Sequence, residues 1–365
     1  MRWKSCIHDA FYFQSSSPYL CFDMNRSVSD GINLLSKLTF RRAFNMAKIW
    51  CSYHLARLLK KPLHWGLPIS ISIEPTTSCN LRCPECPSGL RSFTRPTGML
   101  GEDIFIKTID ELSAYTLYLI LYFQGEPYLN SKFFDYVRYA HARKMYTATS
   151  TNAHYLTDDI AQKTVESGLD RLIISIDGTT QETYQQYRIG GSLEKVLEGA
   201  RNVVKWKQKL KSQTPHLIFQ MVVLSTNEHQ IAELYSLAKE IGVDEVKLKT
   251  AQVYNYENGN TLLPLQEKYS RYKRNENHKY QLKNKMLNQC WRLWSGAVIT
   301  WDGNVVPCCF DKDAQHKMGT LAASEFKDVW RNIAYDNFRN ALLKSRSEIE
   351  ICTNCSEGTK VWREE

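Results

Sequence analysis

The sequence predicts an α/β fold, a parallel sheet alternating with helices and curved into an open, partial (β/α)6 barrel. Three observations carry that prediction. Six short apolar runs, Ile69–Glu74, Leu117–Phe123, Tyr146–Thr151, Leu172–Asp177, Leu217–Leu224 and Glu245–Lys249, alternate with helical stretches near 102–114, 131–144, 157–167, 193–210 and 228–241. Strands joined by helical crossovers pair in parallel. Two of the runs, Leu117–Phe123 and Leu172–Asp177, are apolar nearly throughout, as strands covered on both faces are. Each run is followed by a polar cluster at the same end, where folds of this kind place their chemistry. Six units fall short of eight-stranded closure, so the barrel is expected to be open.

Ahead of the first strand, residues 1–65 form a basic extension. They hold ten Lys or Arg against Asp9, Asp23 and Asp30, whereas the rest of the chain holds 37 basic against 35 acidic residues. From Val28 to Lys61 the pattern is helical: Leu34, Leu35, Leu38, Phe40, Phe44, Ile49, Trp50, Tyr53, Leu58 and Leu59 mix with Lys37, Arg41, Arg42, Lys48 and Arg57. The expected arrangement packs this apolar stripe on the core and solvates the charges. A membrane-surface or nucleic-acid role is the alternative. Met24 is a second candidate start, because the residues before it carry no clear pattern.

The first cluster after a strand is Cys79-Asn-Leu-Arg-Cys83-Pro-Glu-Cys86. A closed zinc site wants four ligands and a disulfide two. Three thiolates on a short loop instead hold three irons of a [4Fe–4S] cube and leave the fourth open to an outside ligand. Partial zinc or chance spacing is the rival. Gln124-Gly125-Glu126-Pro127 follows the second strand, and Ser150-Thr151-Asn152 ends the third. Ser175-Ile-Asp177-Gly178 ends the fourth, and Thr226-Asn227-Glu228 follows the fifth. Thr157 and Asn227 sit where helix N-caps are expected.

Residues 252–289 read as a polar connection, with a basic run (Lys268, Arg271, Lys273, Arg274, Lys279, Lys283, Lys285) expected to be a solvated face. Beyond them Cys290, Cys308, Cys352 and Cys355 make a second set. Trp301-Asp-Gly-Asn304 marks a hairpin between Ala297–Thr300 and Val305–Val306. Four thiolates close a site, and spacing alone suits an iron–sulfur cluster and structural zinc equally.

The spacing of Cys79, Cys83 and Cys86 is similar to that of the radical SAM superfamily. The resemblance implies a TIM-like partial (β/α)6 barrel over residues 66–251. It also implies a [4Fe–4S] cluster bound by the three cysteines and by S-adenosylmethionine (SAM), reductive cleavage of SAM to a 5′-deoxyadenosyl radical, and hydrogen abstraction from a substrate. Glu85 departs from the pattern, where many members carry an aromatic residue. Gly125-Glu126 resembles the superfamily's Gly-Gly-Glu motif, with Gln124 replacing the first glycine, and is expected to receive the SAM ammonium. Ser175 and Asp177 match the place of the ribose contact, and Ser150 and Asn152 a third-strand position. Asn227 is expected to face the adenine or the SAM carboxylate, or else to cap a helix. Arg188, in Tyr187-Arg-Ile-Gly-Gly-Ser192, is expected to reach the carboxylate.

Cys290, Gly303 and Cys308 resemble the opening of a SPASM domain. Four cysteines in place of seven look like its shortened twitch form, which implies one auxiliary [4Fe–4S] cluster over residues 290–356. A radical SAM dehydrogenase of aminoglycoside biosynthesis shares this layout. Cys309 is an adjacent substitute for Cys308, and Cys6, Cys21 and Cys51 read as unligated.

Net oxidation of a small molecule, a carbohydrate or cyclitol alcohol, is the expected reaction, with a peptide or protein substrate as the alternative. An external donor such as ferredoxin or flavodoxin is expected to supply the electron. A zinc-stabilised protein binding nucleic acid through its basic front is the reading from a different class; it predicts strongly salt-dependent affinity. No apolar run reaches the ~18 residues of a membrane span. Met1 to Phe22 lacks the continuous apolar stretch of a signal peptide, and the cysteine spacings are of metal type, so a cytoplasmic setting is expected.

Overall fold

The computed structural model describes residues 24–283 and 286–356. Cys6, Cys21 and Lys285, singled out above, lie outside the described residues. The six expected strands are present as β1 (Ser70–Ile73), β2 (Tyr118–Ile120), β3 (Tyr146–Thr151), β4 (Arg171–Ser175), β5 (His216–Val223) and β6 (Glu245–Thr250). Each pairs in parallel with the next. Leu119, Leu172, Ile174, Leu217, Phe219 and Leu248 bury one face in the main core. The other face mixes Ile120, Ile173 and Ile218 with a polar row, Ser175, Gln220 and Lys247, across β4, β5 and β6. Burial on both faces therefore does not mean apolar on both faces; one carries the packing and the other is free for a ligand.

Residues 252–283 are more structured than a polar connection. They contain an antiparallel hairpin, β7 (Tyr272–Arg274) with β8 (Tyr280–Leu282), and pack Val253, Leu263 and Tyr272 with Leu224 and Ala251 into a small core. The run Tyr272 to Leu282 is too polar to signal a strand; Tyr256 stacked on Tyr272 at 4.4 Å supplies the packing.

The predicted C-terminal hairpin forms as β9 (Gly296–Ile299) and β10 (Asn304–Val306), followed by β11 (Gly319–Thr320). β9 also pairs in parallel with β1, Ser70 facing Gly296 and Ile73 facing Ile299. The barrel sheet thus continues into the C-terminal region as one nine-stranded sheet, β11-β10-β9-β1-β2-β3-β4-β5-β6. A shared sheet holds the two cysteine-bearing regions in a set geometry.

Two helices precede β1, α1 (Met24–Ser36) and α2 (Phe40–Leu59). Thr39 caps α2, its hydroxyl accepting from the Arg42 amide at 3.3 Å. The buried face of α2 is Arg42, Asn45, Ile49, Ser52, Tyr53 and Ala56, spaced by three or four as a single helix face requires. This corrects the expected stripe. The break at Thr39 resets the helical phase, so Phe40, Phe44, Trp50 and Leu58 point outward while the Arg42 cation is buried. Arg42 is satisfied by backbone, donating to the carbonyls of Lys37 (2.5 Å), Lys144 (2.5 Å), Arg143 (3.0 Å) and Ser113 (2.6 Å). At the far end of α2 the Tyr53 ring meets Trp291 at 5.2 Å and Trp294 at 5.6 Å. The extension clamps the barrel to the C-terminal region across the strands' amino ends, away from the polar clusters. Among the described residues, no helix is long and apolar enough to cross a membrane.

Candidate functional site

Cys79, Cys83 and Cys86 lie on the loop leaving β1, at the carboxyl end of the sheet, and none is in a disulfide. The loop is closed by its neighbours. Glu74, at the end of β1, makes a bidentate buried ion pair with Arg95 at 2.6 and 2.8 Å, and also accepts from the Trp301 amide at 3.2 Å. One carboxylate thereby ties the strand, the return of the cysteine loop and the β9–β10 turn. Sequence reading missed this pair, because neither residue stands in a motif and their spacing carries no signal.

Each of two thiols meets a donor. The Leu81 amide approaches Cys79 Sγ at 3.5 Å, and Asn152 Nδ2 reaches it at 3.9 Å. Arg188 Nη1 lies 3.8 Å from Cys83 Sγ. Burial pushes the Cys79 thiol up to about 11 and raises that of Cys83, with the other thiols of the loop adding to the shift in both. Thiols that act on one another in this way resist ionising together, and a bound cation removes that penalty.

Gly125 has φ +74°, and a Cβ there would meet the Thr76 carbonyl at 2.2 Å and the Ser78 carbonyl at 2.8 Å. Only glycine lets this turn lie against the residues before Cys79. Its amide donates to Ser88 Oγ at 2.8 Å, and the Glu126 amide to the Ser78 carbonyl at 2.8 Å. The Glu126 carboxylate accepts from the Thr151 hydroxyl at 2.7 Å and the Asn152 amide at 2.8 Å. With the Tyr128 amide at 3.3 Å all three donors are neutral, and burial pushes the Glu126 carboxyl up to about 7. A ligand ammonium would supply the missing positive charge. The donor set and the glycine cradle fit a cluster with SAM.

The other expected contacts divide. Ser150 and Ser175 end β3 and β4 on the mixed sheet face. Asp177 is fully buried, one oxygen held by Arg188 Nε at 2.5 Å and the other by the Val222 amide at 2.6 Å. It therefore orients Arg188, whose Nη1 lies against Cys83. Asn227 is also fully buried, donating to the carbonyls of Asp177 (3.0 Å) and Val222 (2.9 Å) and accepting from the Leu224 amide (2.8 Å). It staples the ends of β4 and β5, and its side chain makes no capping bond to the helical turn it precedes. Thr157 likewise occupies a cap position with no capping bond.

Glu85, the departure just before Cys86, is engaged by the segment that follows β6. It accepts from the Tyr254 amide at 2.9 Å and Asn260 Nδ2 at 3.4 Å.

The second set is arranged around a cation. Cys290, Cys352 and Cys355 are buried. Arg346 is buried and donates from Nη2 to Cys355 Sγ at 3.2 Å and from Nη1 to the Gln289 carbonyl at 3.1 Å. Its own proton is held more tightly by Cys290, Cys355 and Cys352. Cys308 is pushed up by Cys309 and by burial, and feels Cys290 and Cys355. Cys309 instead packs with Val298, Val306 and Ala314, its sulfur 3.7 Å from Arg292 Nη1. The all-sulfur donor set fits an iron–sulfur cluster held by Cys290, Cys308, Cys352 and Cys355. Cys51 is exposed on α2.

Comparison with known proteins agrees with this layout. Residues 73–238 match the family model of the radical SAM superfamily, and residues 290–356 match SPASM, an iron–sulfur cluster-binding domain. The chain belongs to the radical SAM superfamily and carries a C-terminal SPASM domain. That membership implies a [4Fe–4S] cluster with SAM and auxiliary iron–sulfur binding. The tungsten-containing aldehyde ferredoxin oxidoreductase cofactor-modifying protein of Pyrococcus furiosus is 26% identical over 317 residues, 78% of this chain and 86% of that protein. The PqqA peptide cyclase of Bradyrhizobium diazoefficiens is 25% identical over 195 residues, 53% of this chain and 49% of that one. The chain thus spans most of the first relative and about half of the second. Among solved structures, Streptococcus suis SuiB bound to S-adenosylmethionine aligns with TM-score 0.60 at 14% identity, covering 97% of this chain and 82% of that one. That likeness is one of fold.

Proposed function

We propose that this chain is a SAM-cleaving radical enzyme that abstracts hydrogen from a peptide or protein, with a net oxidation assisted by the auxiliary site. Residues 66–251 form the catalytic core, 252–289 the connection and 290–356 the auxiliary domain. The observation that supports this most is the pairing of β9 with β1. It joins the strand that launches the three-cysteine loop to the region holding the other four cysteines. The likeness to a peptide cyclase favours a peptide over a small alcohol.

Cys79, Cys83 and Cys86 hold the first cluster; Gly125, Glu126, Ser150, Asn152 and Ser175 surround SAM. Glu126 receives the ammonium, the Gly125 backbone lets it approach, and Arg188, aimed by Asp177, steadies the thiolate of Cys83. When bound, the groups supply reductive cleavage of SAM to a 5′-deoxyadenosyl radical, and an acceptor for the electron left on the substrate. The external donor is a ferredoxin or flavodoxin.

Anaerobic reconstitution followed by iron counting, a 5′-deoxyadenosine assay and mass analysis of peptide substrates tests the proposal. Binding about eight irons, releasing deoxyadenosine and altering peptide mass is the expected result. Iron without SAM consumption would sink it.

A further inference from the structure

Arg271 is only 8% exposed, yet its guanidinium is incompletely satisfied. Nε donates to Thr250 Oγ1 at 3.3 Å and Nη2 to the Thr250 carbonyl at 3.0 Å, while buried Nη1 meets no acceptor. A buried donor left without a partner is unfavourable, and a ligand acceptor would relieve it.

Its position gives that vacancy meaning. Thr250 ends β6, at the mouth of the barrel. The next residue, Tyr272, donates its hydroxyl at 2.8 Å to Asn354, which lies between Cys352 and Cys355. Arg271 therefore stands where the barrel mouth meets the auxiliary loop. Lys312, four residues after Cys308, belongs to the auxiliary region and reaches the same connecting segment, its Nζ 3.1 Å from the Tyr254 hydroxyl. Cys86 of the first set, Cys309 beside the second, Arg271 and Glu85 all act on its charge. Arg271 and Lys312 offer N–H donors to an anion, and the planar guanidinium matches the two oxygens of a carboxylate.

We propose that Arg271 and Lys312 seat a carboxylate of the substrate, holding an acidic side chain of a peptide between the two cysteine loops. The assignment rests on the peptide-modifying reading above and names the substrate class it requires. Binding involves no covalent step: Arg271 Nη1 donates to one carboxylate oxygen and Lys312 Nζ to the other.

The test uses the full chain, reconstituted with iron and sulfide and supplied with SAM and dithionite. Three random peptide pools differing only at a central Glu, Gln or phosphoserine are compared by 5′-deoxyadenosine release, with KM separated from kcat. The expected result is a KM about tenfold lower for the Glu pool than for the Gln pool. Arg271→Gln should bring the two within about twofold, and Arg271→Lys should restore part of the difference. Equal KM values in the wild type, a preference that survives Arg271→Gln, or a preference for phosphoserine would each overturn the assignment. If SAM is cleaved but no pool stimulates release, the assignment and the peptide reading fall together while the SAM-cleaving reading stands. No SAM cleavage at all would sink all three. Should Arg271→Gln fail to fold, the wild-type comparison and Lys312→Gln decide the matter.

Discussion

Glu85 accepts a hydrogen bond from the Tyr254 amide at 2.9 Å, so the residue beside Cys86 is tied to the chain segment that leaves β6. The same Tyr254 carries the hydroxyl that Lys312 meets at 3.1 Å. One side chain and one tyrosine thus connect the first cysteine loop, the connecting segment and the auxiliary domain. The link has a mechanical role: it holds residues 252–260 over the mouth of the barrel.

Replacing Glu85 by Ala should release that segment while leaving the thiols in place. Hydrogen exchange should accelerate over residues 252–262, and stability should fall by about 1–2 kcal/mol. Iron bound at the first site should be unchanged; its loss would show that Glu85 acts on the cluster itself.

SAM affinity should depend on pH through Glu126. Its carboxyl, pushed up to about 7 in the absence of a cation, must be ionised to receive an ammonium. Affinity is therefore full above that value and declines toward tenfold per pH unit below it. Calorimetric titration across pH 5.5–8.5 (about one unit and a half either side of the Glu126 value) would show the slope. In Glu126→Gln the binding should be weaker and the slope absent; a slope that survives would place the proton elsewhere.

The two cysteine sets should lose iron independently. Cys79→Ala should remove about four irons and abolish deoxyadenosine formation. Cys352→Ala with Cys355→Ala should also remove about four irons but leave SAM binding intact. Iron content measured on the purified variants checks both, and full iron in the double variant would exclude the auxiliary assignment.

Arg346 should set the potential of the auxiliary site. A guanidinium 3.2 Å from Cys355 Sγ favours the more negatively charged, reduced state. Arg346→Gln should shift the midpoint to more negative values by tens of millivolts in an EPR-monitored titration. An unchanged midpoint would leave Arg346 a purely structural role.

Arg42 should be required for stability, not chemistry. Its buried guanidinium answers four carbonyls from three parts of the chain. Arg42→Met should cost about 3 kcal/mol or more in chemical denaturation, because the carbonyls lose their donors. SAM affinity of the folded fraction should be unaltered.

Much of this was legible from residue order. The boundaries of β3 match the expected run residue for residue, and the other five strands begin or end within a few residues of theirs. Alternation and turn chemistry act locally, so they leave a mark in a short window. Cys79, Cys83 and Cys86 are legible for the same reason: one loop carries all three. The hairpin of β7 and β8 was not, since a polar run becomes a strand there only through the stacking of Tyr256 on Tyr272. The bonds of Asp177 and Asn227 to neighbouring strands were not legible, because strand-end polar residues read alike whether they meet a ligand or a neighbouring strand.

Residue order alone determined the kind of chemistry: which strands exist, at which end their loops lie, and that one loop offers three thiols. Tertiary structure alone decided how those parts face one another. It paired β1 with β9, aimed Arg188 at Cys83 through Asp177, and left Arg271 buried with a nitrogen unanswered. The physical reason is range. Backbone propensity and spacing are properties of neighbours along the chain, whereas ion pairs, strand register and burial depend on residues brought together across hundreds of positions by the packing of a common core.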